Sequence, residues 1–527
     1  MANPRTIVLT ILDGFGMSSQ TDGNAIRSAN TPTINRLWSE FPVGPLEASG
    51  IAVGVMWGEP GNSEVGHLGI GAGMVVYQNL PRIQLAIEDK SFFNNLEFIK
   101  ACKRVQANGG TLHLLGLCSS GGVHAHIEHL EHLLALCQQQ GVDRVAIHMI
   151  TDGRDTAPQK ALEFVAQIRA AIKQYGRGKI ATVAGRYYSM DRNTNWDRVQ
   201  KAYEAMTEAK GSTATTAEDA VQQSYTKQIF DEEIVPTVIV DGRTPVATIN
   251  DGDALIFFNY REDRARQLTQ AFVVKGFSGF TRAKIYTDLL MVTMIEYEKD
   301  LPVCVAFPPQ PVTEPLGKVI ADQGLAQLRI AETEKYAHVT YFFNGGGEKE
   351  YANETRVLVP SKKVESYATV PEMSAREITE RLVAEIVSRK YALIVTNFAN
   401  ADMVGHTGDF NATVKGVEVV DQCLAKIVSA VEQIDGVLVI TADHGNAEQK
   451  KDPSSGQPSK EHTANPVPLC IVDQQRRRQK SSEEITMLLD NPTPIGILAD
   501  VAPTILELMG LPKPPEMTGK SLLSYMV

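Results

Sequence analysis

Six short runs of β-branched and aliphatic residues punctuate the chain, each ending in polar or glycine-rich residues: TIVLTILDG, TLHLLGLCSSGG, RVAIHMITDGRD, KIATVAGR, ALIVTNFANAD and GVLVITADHGN. Between them lie stretches such as ALEFVAQIRAAIKQYG and VKGVEVVDQCLAKIVSAVEQI, whose apolar residues recur at helical spacing. This alternation predicts an α/β architecture with largely parallel sheets. Ligands of such folds collect outside the carboxyl ends of the strands, and all six runs place Asp, His, Asn, Ser or Arg at or just beyond that end. The proline-rich segment Cys304–Pro315 reads either as a linker between two α/β blocks or as an ordinary surface loop. The basic cluster Arg476–Lys480 reads as a solvated loop.

A length of 527 residues exceeds one ordinary core, so at least two domains are expected. Hydrophobic residues at 43% supply large cores, and 21% charged residues argue against disorder. The formal charge of -11 repels polyanions over the surface, so no nucleic-acid partner is expected. Six scattered cysteines without C-x-x-C spacing indicate reduced thiols and a cytoplasmic setting. The N-terminal apolar run is short and broken by Asp13, so it reads as a buried strand rather than a signal peptide. No apolar stretch is long enough for a transmembrane helix, so no membrane partner is expected.

The segments richest in chemistry are LDGFG with Asp13, GNSEVGH with Ser63, NADMVGHTG with Asp402 and His406, TADHGN with Asp443 and His444, and EHTANPVP with His462. Three carboxylates, three imidazoles and a hydroxyl suit two divalent ions such as manganese, cobalt or zinc better than calcium or an iron–sulfur cluster. Any one Asp-His pair is more commonly a hydrogen-bonded structural histidine, whereas the set of five segments is far more specific. Beside such ions Ser63 could act as a nucleophile without a histidine base. An acyl-transferring hydrolase needs G-x-S-x-G, and here the second glycine, Gly66, comes one place too late. The same segment also reads as a helix start capped by Ser63, which is compatible with a nucleophilic role.

Arginines next to turn-forming residues mark the middle of the chain: Arg154 in TDGRD, Arg186 and Arg192 in GRYYSMDR, Arg261 and Arg264 in NYREDRARQ. Their planar forks suit carboxylate and phosphate, though each alone is more often half of a surface ion pair. His126, His129 and His132 recur every three residues, but they lack H-E-x-x-H and are expected on an exposed helix, so no zinc is assigned to them.

The order LDGFG, GNSEVGH, NFANADMVGHTG, TADHGNAE, HTANPVP and LADVAPTILELMGLPKPPEMTG resembles that of the cofactor-independent phosphoglycerate mutases, within the alkaline phosphatase superfamily. The likeness runs from residue 13 to residue 519 and implies that Asp13, Ser63, Asp443 and His444 hold one ion, and Asp402, His406 and His462 the other. Ligands from both ends of the chain must then converge. Residues 1–76 and 310–527 are accordingly expected to form an alkaline-phosphatase-like, metal-binding domain, with 77–309 as an inserted α/β substrate-binding domain. The resemblance further assigns substrate contacts to His124, Arg154, Asp155, Arg186, Arg192, Arg261 and Arg264. It places Lys335, which could otherwise be an ordinary surface lysine, beside the phosphoryl group.

What the resemblance implies is interconversion of 3-phosphoglycerate and 2-phosphoglycerate through phosphorylated Ser63. Asp155 would exchange the proton between hydroxyls, and no bisphosphoglycerate primer would be needed. Two divalent ions, manganese foremost, and a monomer are expected. Ser120, Ala125, Glu262 and Asn193–Asn195 depart from the family pattern, and they bear on the shape of the substrate pocket rather than on the ligands. A phosphohydrolase or phosphopentomutase of the same superfamily is the alternative with the same chemistry, and a catalytically silent sensor the alternative of another class.

Overall fold

The computed structural model describes residues 5–526, which divide into two compact units. One comprises the chain up to Pro81 together with the chain from Gln310 onward, and the other is Arg82–Pro309.

The first unit is built on an eight-stranded sheet in the order Glu354–Val359, Gln327–Glu332, Leu393–Phe398, Ile7–Leu12, Val437–Thr441, Val467–Val472, Val43–Glu47, Gly496–Ile497. Ile7–Leu12 runs parallel to both neighbours, with Ile11 opposite Asn397 and Thr441. Every residue of these three central strands is buried, which explains why they read as unbroken apolar runs rather than alternating ones. Because the three strands point the same way, Asp13, the segment after Phe398 and the segment after Thr441 all emerge at one edge. The helices Ala375–Val387 and Phe410–Gln433 bury amphipathic faces against the sheet and each other.

The second unit has its own sheet, ordered Cys304–Phe307, Leu290–Ile295, Ala254–Phe257, Leu112–Leu117, Val145–Thr151, Lys179–Gly185, Thr237–Asp241, Ser212–Ala214. Pairing is parallel from Cys304–Phe307 to Lys179–Gly185, and Thr237–Asp241 then joins antiparallel. A polar chain crosses this apolar sheet: His113 contacts Asp253 and His148, and His148 contacts the Thr182 hydroxyl at 2.9 Å. Burial, reinforced by His113, holds the His148 imidazole well below its usual pKa, so it is carried neutral.

Two expectations change here. Cys304–Phe307 is not linker but the edge strand of the second sheet, its apolar residues pairing with Leu290–Ile295, and only the segment beyond it is irregular. The helix Ile127–Gln140 is not simply exposed: His129 points inward, fully buried, with neither ring nitrogen hydrogen-bonded.

Candidate active site

At the carboxyl edge of the first sheet, each reactive side chain is placed by the end of a strand or the start of a helix. Asp13 follows Ile7–Leu12, Asp443 and His444 follow Val437–Thr441, and Asp402 lies on the short helix Asn400–Gly405 after Leu393–Phe398. Ser63 opens the helix Ser63–Ala72, but the cap is Asn62, whose side-chain oxygen accepts from Val65 N at 3.0 Å. Ser63 therefore does not cap the helix, and its hydroxyl is left to face the carboxylates. Glycines let these loops approach: a Cβ on Gly66 would stand 2.6 Å from the Asp443 carbonyl oxygen, and one on Gly14 2.8 Å from Asp402 Cα.

Two groups of ligand atoms result, each gathered within 4.8 Å: Asp13, Asp443 and His444 in one, Asp402, His406 and His462 in the other. Ser63 Oγ lies 3.1 Å from His444 Nε2 and 3.4 Å from Asp13 Oδ1. In the second group Asp402 Oδ1 is 3.1 Å from His406 Nε2 and 3.2 Å from His462 Nε2. His462 Nδ1 donates to the Gly61 carbonyl at 2.9 Å, which turns its Nε2 inward. Lys335, on the turn after Gln327–Glu332, joins the groups: its Nζ is 2.8 Å from Ser63 Oγ, 2.9 Å from Asp13 Oδ1 and 2.6 Å from Asp402 Oδ2. It is buried rather than a surface lysine.

Three buried carboxylates against the Lys335 ammonium and a protonated His444 still leave negative charge in excess. Burial alone would lower the Lys335 ammonium, but Asp13, Asp402 and Asp443 outweigh it and raise its pKa. Burial likewise works against ionised Asp402, yet Lys335, His406 and His462 hold that carboxyl well below its usual range. His444 is opposed by burial and still held up at about 10 by Asp443, Asp13 and Asp402. Asp443 Oδ2 is buried and accepts no hydrogen bond. An unsatisfied carboxylate oxygen beside imidazole nitrogens, in a pocket of surplus negative charge, is what divalent ions with oxygen and nitrogen ligands require, so the donor set fits them.

Residues not anticipated from the sequence support this cluster. Glu448 accepts from Gly16 N at 3.0 Å, Asn446 N at 2.9 Å, Asn465 Nδ2 at 2.9 Å and the Thr463 hydroxyl, tying together the loops that carry Asp13, His444 and His462. Asn446 Nδ2 in turn donates to Asp402 Oδ1 at 2.9 Å.

The second unit gathers a cationic cluster at the carboxyl ends of its own strands. Arg186 Nη1 reaches Asp152 Oδ1 and Asp155 Oδ2, both at 2.6 Å. Asp152 also accepts from Ser119 Oγ at 2.6 Å and from the backbone of Arg154 and Asp155, and so fixes the TDGRD turn. Asp263 is the centre of the other half: Arg192 Nη1 at 2.8 Å, Arg261 Nε at 3.4 Å and His124 Nδ1 at 3.6 Å surround it. Burial, then Arg186, pushes the His124 imidazole down to about 4. Arg264 donates to the Met190 carbonyl at 3.1 Å, while the exposed Arg154 turns to Glu232 at 3.4 Å and joins neither anchor. Asp152 and Asp263 went unnoticed in the sequence although each stands within two residues of a singled-out arginine. Carboxylates beside arginines are too common to carry a signal alone. Among the described residues, no helix is long and apolar enough to cross a membrane.

The family model described as BPG-independent PGAM N-terminus matches residues 83–299. A Thermomicrobium roseum protein named 2,3-bisphosphoglycerate-independent phosphoglycerate mutase is 51% identical over 525 residues, covering 99% of both chains. A Methanosarcina acetivorans protein of the same name, numbered 1, is 51% identical over 521 residues, covering 98% of both. Among solved structures, a Leishmania mexicana phosphoglycerate mutase crystallised at low cobalt concentration is similar, with a TM-score of 0.54 and 30% identity over 98% of this chain and 97% of that one.

Proposed function

Because the chain belongs to the 2,3-bisphosphoglycerate-independent phosphoglycerate mutases, we propose that it interconverts 3-phosphoglycerate and 2-phosphoglycerate by way of a phosphoserine at Ser63. The observation that carries this reading is the contact of Ser63 Oγ with Lys335 Nζ and His444 Nε2, between two groups of carboxylate and imidazole ligands.

Asp13, Ser63, Asp443 and His444 would hold one divalent ion, and Asp402, His406 and His462 the other. When bound, the ions, manganese being proposed, supply charge that polarises phosphoryl oxygens and favours loss of the Ser63 hydroxyl proton. Ser63 Oγ attacks phosphorus in line, the bond from phosphorus to the substrate oxygen breaks, and Lys335 donates hydrogen bonds to the oxygens on which charge accumulates. In the return step the other hydroxyl of glycerate attacks, and Ser63 Oγ is the leaving group.

Arg154, Arg186, Arg192, Arg261, Arg264 and His124 are proposed to take the carboxylate and hydroxyls of glycerate, in a substrate-binding domain formed by the inserted unit. The Asp155 carboxylate takes the proton of the hydroxyl that attacks next and passes it to the departing alkoxide oxygen, so that no proton is gained or lost over the exchange. The Arg186 contact suits it to both roles, because it holds the carboxylate in one orientation without fully enclosing it.

The test is Ser63→Ala in the full chain. Wild type should convert 3-phosphoglycerate without bisphosphoglycerate and yield phosphoserine at residue 63 on rapid quenching, and the variant should do neither. A requirement for the bisphosphate primer, or turnover by the variant, would refute the scheme.

A further inference from the structure

His67 and Asn397 are buried behind the ligand cluster, and neither is given a part in the reaction above. His67 lies one helical turn beyond Ser63, and Asn397 stands beside Ile11 in the sheet. His67 Nδ1 contacts the Ser63 carbonyl at 2.8 Å, and its Nε2 contacts Asn397 Nδ2 at 3.0 Å. A carbonyl oxygen only accepts, so Nδ1 carries the hydrogen, and in the neutral ring Nε2 then carries the lone pair. The same Nδ1 lies 3.2 Å from Asp443 Oδ2, an electrostatic contact rather than a second hydrogen bond.

The lone pair on Nε2 decides which way the Asn397 amide faces. Asn397 Nδ2 spends one hydrogen on His67 and the other on Asp13 Oδ2 at 2.8 Å. The reversed amide would set Oδ1 against both the Asp13 carboxylate and the His67 lone pair, two repulsive contacts. In the orientation observed, Oδ1 is buried without a partner, a cost of about 1–3 kcal/mol that the two donated bonds offset. With Oδ2 of Asp13 engaged, Oδ1 is directed at Ser63 Oγ, His444 Nε2 and Lys335 Nζ.

We infer that His67 and Asn397 are positioning residues: His67, through its Nε2 acceptor, orients the Asn397 amide, which aims Asp13 at the ion shared with Ser63. The inference rests on the ligand assignment proposed above, and acts through that ligand rather than on substrate.

Glutamine and asparagine separate the two ring nitrogens. At position 67 a glutamine carboxamide extends to the place of Nε2 and offers Asn397 an acceptor, whereas an asparagine carboxamide reaches only the place of Nδ1. Manganese binding to the full-length ion-free chain, read by calorimetry and by the free-ion electron spin resonance signal, should weaken about 10- to 100-fold at one of two sites in His67→Asn and Asn397→Leu. His67→Gln should return to within about threefold of wild type. The manganese-induced rise in melting temperature should follow the same order, and the ion-free melting temperatures report whether each variant folds. KM for 3-phosphoglycerate should stay within about twofold while kcat follows ion occupancy. Wild-type affinity in His67→Asn and Asn397→Leu would overturn the inference. So would equal losses in His67→Gln and His67→Asn, because packing alone would then explain them. Ion binding is read without turnover, so a wild type that bound manganese in this pattern but lacked mutase activity would refute only the proposed function.

Discussion

Lys335 Nζ lies 2.8 Å from Ser63 Oγ and 2.6 Å from Asp402 Oδ2, so one ammonium spans the proposed nucleophile and a carboxylate of the other candidate ligand group. With protonated His444 it offsets the charge of three buried carboxylates in the ion-free protein, and in the proposed reaction it would stabilise charge as phosphorus changes partners.

Lys335→Met should therefore act twice. Loss of a preorganised donor predicts a fall in kcat of at least about 100-fold, with KM changed far less. Removing one partner of a buried ion pair also predicts that the ion-free protein loses about 3–5 kcal/mol of stability, partly restored by manganese. Steady-state kinetics and denaturant melts with and without the ion would check both.

Ion binding should tighten as pH rises. Burial notwithstanding, Asp443, Asp13 and Asp402 keep ion-free His444 protonated up to about 10, and the imidazole must shed that proton before it can serve as a ligand. Near neutral pH, binding at the Asp13–Asp443–His444 group should release about one proton from His444, beside any that Ser63 loses. Calorimetry in buffers of different ionisation enthalpy measures the total, and His444→Asn should lower it by about one proton.

Acid should destabilise the Arg82–Pro309 unit through its buried histidines. Burial, then His126 and His132, pushes His129 down to about 3, against about 6.5 in an unfolded chain. Above the unfolded value neither state binds the proton, so the group has no effect. As pH falls from about 6.5 toward 3, only the unfolded state takes it up, and stability falls. His129→Leu should flatten that decline in urea melts across the same interval, and an unchanged slope would remove His129 as a cause.

Asp263 engages Arg192, Arg261 and His124, three of the residues proposed to take the substrate. Asp263→Asn should strengthen competitive inhibition by inorganic phosphate roughly tenfold, because an internal competitor for the arginines is gone. Inhibition constants for phosphate, compared with wild type at fixed ionic strength, test this.

Much of the ligand cluster was legible because its residues sit where apolar runs end: Asp13 after TIVLTIL, Asp443 after GVLVIT and Asp402 after ALIVTNF. What supports those residues was not legible. Asn397 and Glu448 are ordinary polar residues in sequence, and their roles arise only from contacts with residues hundreds of positions away. Asn62 and Ser63 are both good caps in succession, so composition could not choose between them. His129 was misplaced because three-residue spacing puts His126, His129 and His132 near one stripe without saying which member turns inward. Cys304–Phe307 was hidden as a strand by the prolines that follow it.

The central position of Ile7–Leu12 governs how the polypeptide must be made. Both partners of this first strand are translated about 390 residues or more later, a delay of roughly 20–80 s at ordinary ribosome speeds. Arg82–Pro309 has all its own strands well before then, so it can mature while the nascent N-terminus still lacks its mates. An apolar, edge-bare strand waiting that long is a hazard for clumping, so chaperone supply during synthesis should influence yield more than the ease of unfolding the finished enzyme.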